Sequence, residues 1–418
     1  MAQAVGHADR IVPFKAYCTG LLLPGERKSI EPMAARLDPD HVGRMHQSLH
    51  HLIAEAPWEH EILLDRALDT VLPAMLQQAP IVAWVADDTE FLKKGQHSVG
   101  VTRQYCRHVG KEDNCQVAVT LSLTTEEASM PIAFQLYLPE VWAEDEQRRK
   151  KAGVPKEVGF QTKPEIALGQ IERARQRGLP RGVVLAHAGY GNDTQFRNRL
   201  TEGDLLYFAG IQSVVKVWKP GEQPRPARPS KGLSRPPKLF QRDSGQLSLT
   251  VKELALALRA DAWKNISWRE GVAQKPKSRF AAVRVCPAHR DYGRAEPHAE
   301  EWLLIEWPKD ESEPTKYWLS TLPADTSLAE LVYFAKHRWI IERDYQELKH
   351  ELGLGHFEGR GWRGFHHHAT LCIAAYGFLV SERSRFSPST RAGHLKLSLP
   401  KLPNWFRPRG SPRARRAT

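Results

Sequence analysis

Asp87-Asp88, His187 and Glu342 are the side chains in this 418-residue sequence whose types and settings suit chemistry at one centre. Asp87-Asp88-Thr89 follows the apolar run Ile81-Val-Ala-Trp-Val-Ala86, and His187-Ala-Gly-Tyr-Gly191 follows the apolar run Gly182-Val-Val-Leu-Ala186. Short, wholly apolar runs are the pattern of strands buried on both faces. In an open α/β sheet, the loops after parallel neighbouring strands line one crevice, where ligands bind. If the two runs are parallel neighbours, the Asp pair and position 187 meet at that edge, and a helix carrying Glu342 supplies a third group. Carboxylates gathered in this way repel unless cations neutralise them, and their oxygens suit Mg²⁺ or Mn²⁺. Two such ions about 3.5–4 Å apart activate water and stabilise a leaving 3′-oxygen in phosphodiester chemistry. Adjacent strand residues point to opposite faces. Either Asp87 or Asp88 can turn into the crevice at a strand's end, and Asp87 is favoured.

The element that must position Glu342 is a helical pattern from Ser327 to Leu352. Leu328, Leu331, Val332, Ala335, Trp339, Tyr345, Leu348 and Leu352 recur at spacings of three and four. Ser327 and Glu330 form a capping-box pair, and Gly353 stands just past the end. On a regular helix Arg338, Glu342 and Lys349 fall within roughly a 60° arc, close to the apolar stripe. Burying charge is costly unless it is paired or bound to metal. This arc therefore reads either as a carboxylate held between two cations or as an i, i+4 Arg338–Glu342 pair with Lys349 solvated.

The elements before it follow from local pattern. Residues 32–72 are helical, with Val42, Met45, Leu49, Leu52, Leu63, Leu68 and Val71 on the apolar face. Ser98–Tyr105 and Asn114–Leu123 read as strands that form an antiparallel meander with the first apolar run. Lys163–Arg177 is an amphipathic helix, Thr194–Leu200 a short one, and Leu205–Ile211 a fifth strand. This order describes an α/β sheet of mixed strand direction. Strands Gln246–Val251, Ala281–Val285, Trp302–Trp307 and Tyr317–Ser320 suggest a mostly β insertion before the chain returns through the Glu342 helix. The expected division is a helical domain at 1–78, core at 79–211, basic linker and insertion at 212–322, core again at 323–380, and a basic tail at 381–418.

Charge is concentrated. The chain carries a formal +12, yet residues 380–418 hold ten Lys/Arg against one acid, and residues 216–242 hold eight against one, with six prolines. Such clusters suit a polyanion, most simply nucleic acid. Arg and Lys interspersed with proline offer charge without a rigid frame, so backbone contact is expected there rather than base readout. Five scattered cysteines without a CxxC argue for a reducing cytoplasm and against a zinc module. No apolar run approaches the roughly 18 residues that a membrane span needs, so no membrane role is expected.

Asp87-Asp88-Thr89, Val184-Leu-Ala-His-Ala-Gly-Tyr-Gly191 and the Arg338-x3-Glu342-x6-Lys349 spacing together resemble bacterial insertion-sequence transposases of the DDE superfamily. The resemblance extends to Phe91–Gly95, Ser98–Tyr105, Asn114–Gln116 and Glu351–Leu354, and covers roughly residues 80–210 and 320–375. It implies a ribonuclease-H-like core with a YREK-type signature; the N-terminal helical domain reads either as a DNA-end-recognition domain or as a structural appendage. It also implies Mg²⁺ or Mn²⁺ held by Asp87 or Asp88 and by Glu342. Arg338 and Lys349 are implied to contact DNA phosphates or the carboxylates, and Lys93, Lys94 and Arg103 to contact DNA. The implied activity is cleavage at insertion-sequence ends and joining of the 3′-OH to target DNA, by a cytoplasmic, nucleoid-associated homodimer on terminal repeats.

Two departures stand out. Ala335 occupies the place of the signature tyrosine, with Tyr333 two positions earlier, and His187 occupies the place of the second acid. Imidazole is a poor Mg²⁺ ligand and a somewhat better Mn²⁺ ligand, so His187 implies impaired chemistry; the alternative is an inactive, DNA-binding descendant of a transposase. Asp193 is a doubtful substitute for the missing acid. His366-His-His368 reads as a nucleic-acid-facing cluster or as nothing functional. Trp302, Trp307 and Trp318 are expected in the insertion's core, with Trp318 also a candidate for stacking on a flipped base.

Overall fold

The computed structural model describes residues 1–106, 109–222, 247–268, 277–288 and 297–385. Most of both basic segments, 223–242 and 386–418, lies outside the described residues.

The first strand, β1 (Ala83–Leu92), is central. It pairs antiparallel with β3 (Lys111–Thr124) and parallel with β5 (Val183–Ala186). The edge of β3 away from β1 carries β2 (Thr102–Cys106) and then β4 (Ser129–Leu136). β6 (Tyr207–Ile211) continues parallel to β5. The order β4-β3-β1-β5-β6, with three antiparallel strands followed by two parallel to the first, is a ribonuclease-H-like mixed α/β sheet. Residues Ile81 to Ala86 are all buried, and Trp84 Nε1 is satisfied by the Pro180 carbonyl at 2.9 Å. β4 escaped notice in the sequence because Pro131 interrupts it. The register with β3 shifts between Leu121 and Ser122, where Ser122 faces Pro131 on this outer strand, a place that tolerates a missing N–H donor. β2 starts later than expected because Gly100, at φ 73°, turns the chain first.

Beyond the short pair β7 (Lys216–Val217) and β8 (Leu249–Thr250) come β9 (Lys264–Ser267), β10 (Lys277–Val285), β11 (Glu301–Trp307) and β12 (Lys316–Ser320). β12 pairs antiparallel with β6, so these strands extend the same sheet in the order β6-β12-β11-β10-β9. The strand expected over Gln246–Val251 is only β8 in the structure. At Thr250 a capping box with Glu253 starts a helix over Val251–Ala257 instead, a signal that Thr250-x-x-Glu253 carries in the sequence. Trp302, Trp307 and Trp318 are half-buried, while Leu303, Leu304, Ile305 and Leu319 fill the core. Trp302 and Trp318 pack half-buried against that core rather than within it, Trp302 with its N–H on the Pro323 carbonyl at 2.8 Å.

The helices, numbered in chain order, begin with α1 (Ile11–Leu22), α2 (Ile30–Leu37), α3 (Val42–His50) and α4 (His60–Gln78). Next come α5 (Glu140–Ala143), α6 (Glu146–Ala152), α7 (Lys163–Gln176), α8 (Ala188–Gly191), α9 (Thr194–Glu202) and α10 (Val251–Ala257). The last are α11 (Leu328–His337), α12 (Ile340–Gln346) and α13 (Trp362–Arg385). α13 packs along α4 and against β4, so the fourth and the last helix share the sheet's core.

The single helix expected over 327–352 is broken. Between α11 and α12 the amide bonds run three residues back, Ile341 to Arg338 and Glu342 to Trp339, and residues Glu347–Glu351 widen into a π-turn. The angular arc drawn for Arg338, Glu342 and Lys349 therefore does not hold. The buried acid of this segment is Asp344, 3% exposed and hydrogen-bonded to Ser129 and Tyr376, whereas Glu342 is exposed.

Candidate active site at the β1–β5 edge

β1 does not end before the acids. Asp87 and Asp88 continue the ladder opposite Thr120 and Val119 of β3, so both lie within the strand rather than in a loop after it. The strand that ends is β5, whose last pair with β1 is Ala86 with Ala186. His187 is the next residue and stands level with Asp87. Beyond β5's end the flank of β1 is uncovered, and the Asp87–Asp88 pair faces the gap.

Within that gap His187 Nε2 lies 3.3 Å from Asp87 Oδ1 and 3.2 Å from Asp88 Oδ1. One ligand-type atom from each of Asp87, Asp88 and His187 falls within 4.8 Å of the others. Each carboxylate also has a cation. Arg338, at the α11–α12 break, donates to Asp87 Oδ2. Lys163, in the first turn of α7, donates to Asp88 Oδ2 at 2.7 Å. Burial acts to raise the Asp88 carboxyl, but the His187 hydrogen bond and the Lys163 charge outweigh it and hold the group well below the usual carboxylate range. Arg338 Nη2 further lies 3.6 Å from Glu342 Oε1, so one guanidinium bridges Asp87 and the exposed glutamate. His187, Arg338 and Glu342 line one cleft of about 910 Å³ beside β5, β6 and β12. Trp318, the candidate for base stacking, also lines it.

The His187 ring has a defined sense. Gly189 N–H donates to Nδ1 at 2.9 Å as the chain turns into α8. With Nδ1 accepting, the ring proton sits on Nε2, and the nitrogen facing the carboxylates is a donor. A Cβ at Gly189 would meet His187 Cε1 at 2.5 Å, so glycine here makes room for the ring. For the divalent ion expected at such a site, the fit is divided. Two buried carboxylates with converging oxygens suit Mg²⁺ or Mn²⁺; His187 in this tautomer is not a ligand.

The remaining residues singled out in the sequence lie apart. Lys349 docks onto β1, its Nζ donating to the Glu90 carbonyl at 2.9 Å, and burial lowers its ammonium. Lys93 donates to the Phe357 carbonyl at 2.7 Å and is likewise lowered by burial. Lys94 and Arg103 are exposed at the far end of β1 and on β2. Asp193 is engaged as the cap of α9, accepting from Phe196 N–H at 3.0 Å. His366, His367 and His368 are each 2% exposed, which overturns the nucleic-acid-facing reading: the helix that carries them is buried almost all round. Sequence reasoning missed Lys163, since a lysine opening a helix carries no mark of the strand it will meet.

This sheet with an acid pair and a cationic helix break at its open edge defines a core of the phosphodiester-processing kind. Comparison places it more narrowly: the chain belongs to the DDE superfamily endonucleases, matching that family over residues 1–275, a span that includes Asp87, Asp88 and His187 and stops short of Glu342. Enzymes of this superfamily use divalent metal ions. It is also similar to the probable transposase for insertion sequence element IS701 of Microchaete diplosiphon, with 32% identity over 201 residues, 48% of each chain. The aligned part thus spans about half the length of that relative. Among the described residues no helix is long and apolar enough to cross a membrane.

Proposed function

We propose that this protein is a DNA transposase that cuts at the ends of an insertion element and joins the freed 3′-hydroxyl to target DNA. The carrying observation is the convergence of Asp87, Asp88, position 187 and the Arg338–Glu342 pair at one edge of a ribonuclease-H-like sheet. The relative's name, a transposase, supports the same reading. Each chemical step forms one P–O bond and breaks another, with water and then the 3′-hydroxyl as nucleophile.

Asp87 and Asp88 would hold the divalent ion, Mg²⁺ or Mn²⁺, which would supply stabilisation of charge on the attacking and leaving oxygens. Arg338 and Lys163 neutralise the acid pair until then, and once released each can pair with a backbone phosphate. Glu342, exposed on the cleft wall, adds the third carboxylate by turning inward. His187 contributes an N–H where the resemblance implies a second acid, so the site is one anionic ligand short and cleavage in Mg²⁺ is slow.

The test is strand cleavage of a duplex containing the DNA that flanks this gene, in Mg²⁺ and in Mn²⁺, with folding checked by circular dichroism. His187→Asp should cut faster than the parent in Mg²⁺, and adding Glu342→Gln should remove the gain. Mn²⁺ accepts nitrogen more readily; a manganese-only activity of the parent would show that the ring releases Gly189 and ligates. If neither parent nor His187→Asp cleaves in either metal, the catalytic reading fails and end binding alone is left.

A further inference from the structure

A second cleft, of about 700 Å³, lies between the N-terminal helices, the end of α6 and the loop that enters α13. Its wall is basic. Lys150 and Lys151 come from the last turn of α6, Arg360 and Arg363 from the α13 entry, and Arg27 from the turn between α1 and α2. Glu31 and Glu358 are the acids lining it.

Some of this charge has a structural role. Arg27 pairs with Glu358 at 2.9 Å, and Arg363 Nη1 donates to the Glu55 carbonyl at 2.9 Å. At the end of α6 it is Arg149 that serves the backbone, bonding the carbonyls of Ala143, Pro155 and Lys156. Lys150, Lys151 and Arg360 are exposed, and their side chains make no ion pair or hydrogen bond among the described residues. Three free cations from two separate segments thus line one cleft, with His46 and His50 of α3 on the same wall.

The loop that presents Arg360 is held in place. Val99 N–H donates to the Arg360 carbonyl at 3.0 Å, and Lys93 donates to the Phe357 carbonyl. The Phe357 ring packs so closely on Gly359 that a Cβ there would lie 2.3 Å from it. Lys93 follows β1 directly, six residues beyond Asp87, so the cleft is joined to the acid pair by a strand of on the order of 20 Å.

We propose that this cleft binds the sugar–phosphate backbone of the DNA being cut, at a place separate from the phosphate at Asp87–Asp88. The proposal rests on the DNA reading above and adds a site that the acid pair does not imply. A polyanion with regularly spaced phosphates can satisfy several separated, solvated cations at once; a single small anion would need them to converge on one buried point.

The test uses the full chain and two labelled duplexes of equal length, one with the gene-flanking DNA and one unrelated, titrated between 50 and 200 mM salt, about the range over which phosphate contacts are resolved. Lys150→Gln, Lys151→Gln and Arg360→Gln are combined in one variant. It should bind both duplexes roughly tenfold or more weakly at low salt, and its slope of log affinity against log salt should shrink by about 2–3, near 0.9 per lost contact. Its melting temperature should match the parent's, since the three side chains make no ion pair or hydrogen bond among the described residues. If the parent binds and the variant keeps the parent's slope, the cleft assignment is wrong while the DNA reading stands. If the parent binds neither duplex, both fall.

Discussion

His187 turns one ring nitrogen to a backbone N–H and the other to two carboxylates in the wall of an open cleft, whereas His366, His367 and His368 turn theirs to partners inside packed helices. His367 lies between the Ile53 and Trp58 carbonyls, 2.9 and 2.8 Å away, and stacks on Trp58 with ring centroids 3.7 Å apart. His368 bonds the Tyr17 hydroxyl at 2.8 Å and the Gly353 carbonyl at 3.0 Å. His366 accepts from Leu136 N–H at 3.2 Å and bonds the Trp362 carbonyl of its own helix at 2.9 Å. Three consecutive histidines look like metal chemistry on paper and serve as buried connectors between α13 and its neighbours. A single histidine without histidine neighbours stands among the acids. What separates the two is the partner on each nitrogen and the access of solvent, neither of which residue type reveals.

The two kinds of histidine should differ most when position 187 is changed. His187→Asp should raise Mg²⁺-dependent strand cleavage by about two orders of magnitude, equivalent to ~2.7 kcal/mol of transition-state stabilisation. Asp87→Asn in that background should abolish it, and an unchanged rate in either protein would show that the site is limited by something other than its ligands. In the buried region, His367→Ala removes a stacked ring and leaves the Ile53 and Trp58 carbonyls without it. It should cost about 2–4 kcal/mol in urea unfolding and leave Mn²⁺ affinity, read by titration calorimetry, as it is. A loss of Mn²⁺ binding there would return the run to metal chemistry.

Acid should also separate the regions. Burial lowers His368 and His337 to about 4, from an ordinary value near 6.5. The folded state therefore keeps these rings neutral while the unfolded chain takes up protons below about 6.5. The unfolded form binds more protons across that window, so stability is full above about pH 6.5, falls as pH drops toward about 4, and levels off below. Each ring should contribute a slope of about 1.4 kcal/mol per pH unit, read as a falling melting temperature across that range. His368→Gln should flatten that slope by roughly one ring's share. A melting temperature that does not change over the window would mean that the rings are not held neutral.

The smallest effect is expected at Lys163. Lys163→Met takes one cation from Asp88, so an incoming ion competes with one fewer charge. Mn²⁺ should bind about three- to tenfold more tightly, on the order of 1 kcal/mol for a partly solvated pair. Weaker binding would show instead that Lys163 holds Asp88 in the geometry the ion needs.

Much of the sheet was legible because burial on both faces leaves an apolar run, as in Ile81–Ala86 and Val183–Ala186, and the parallel pairing of those runs follows from the helix between them. β4 was not, since Pro131 hides a strand that only its register shift accommodates. The helix break at Arg338–Trp339 has neither proline nor glycine to mark it. It was invisible to periodicity because the spacing of apolar residues continues across it. The same break carries Arg338 to Asp87 and leaves Glu342 exposed.

Residue type and order alone determined that an acid pair would directly follow one buried run and His187 another, that an Arg–x3–Glu spacing would come late, and that charge would gather in two segments. These are local matters, set by hydrophobic pattern and composition. Tertiary structure decided which cations neutralise which acids, since Lys163 and Arg338 lie 75 and 251 residues from their partners. It also decided the sense of the His187 ring, through one glycine amide, and brought the α6 lysines and Arg360 to one cleft. Pairings at that separation depend on how strands and helices pack, and a carboxylate's chemistry depends on the charge packed against it.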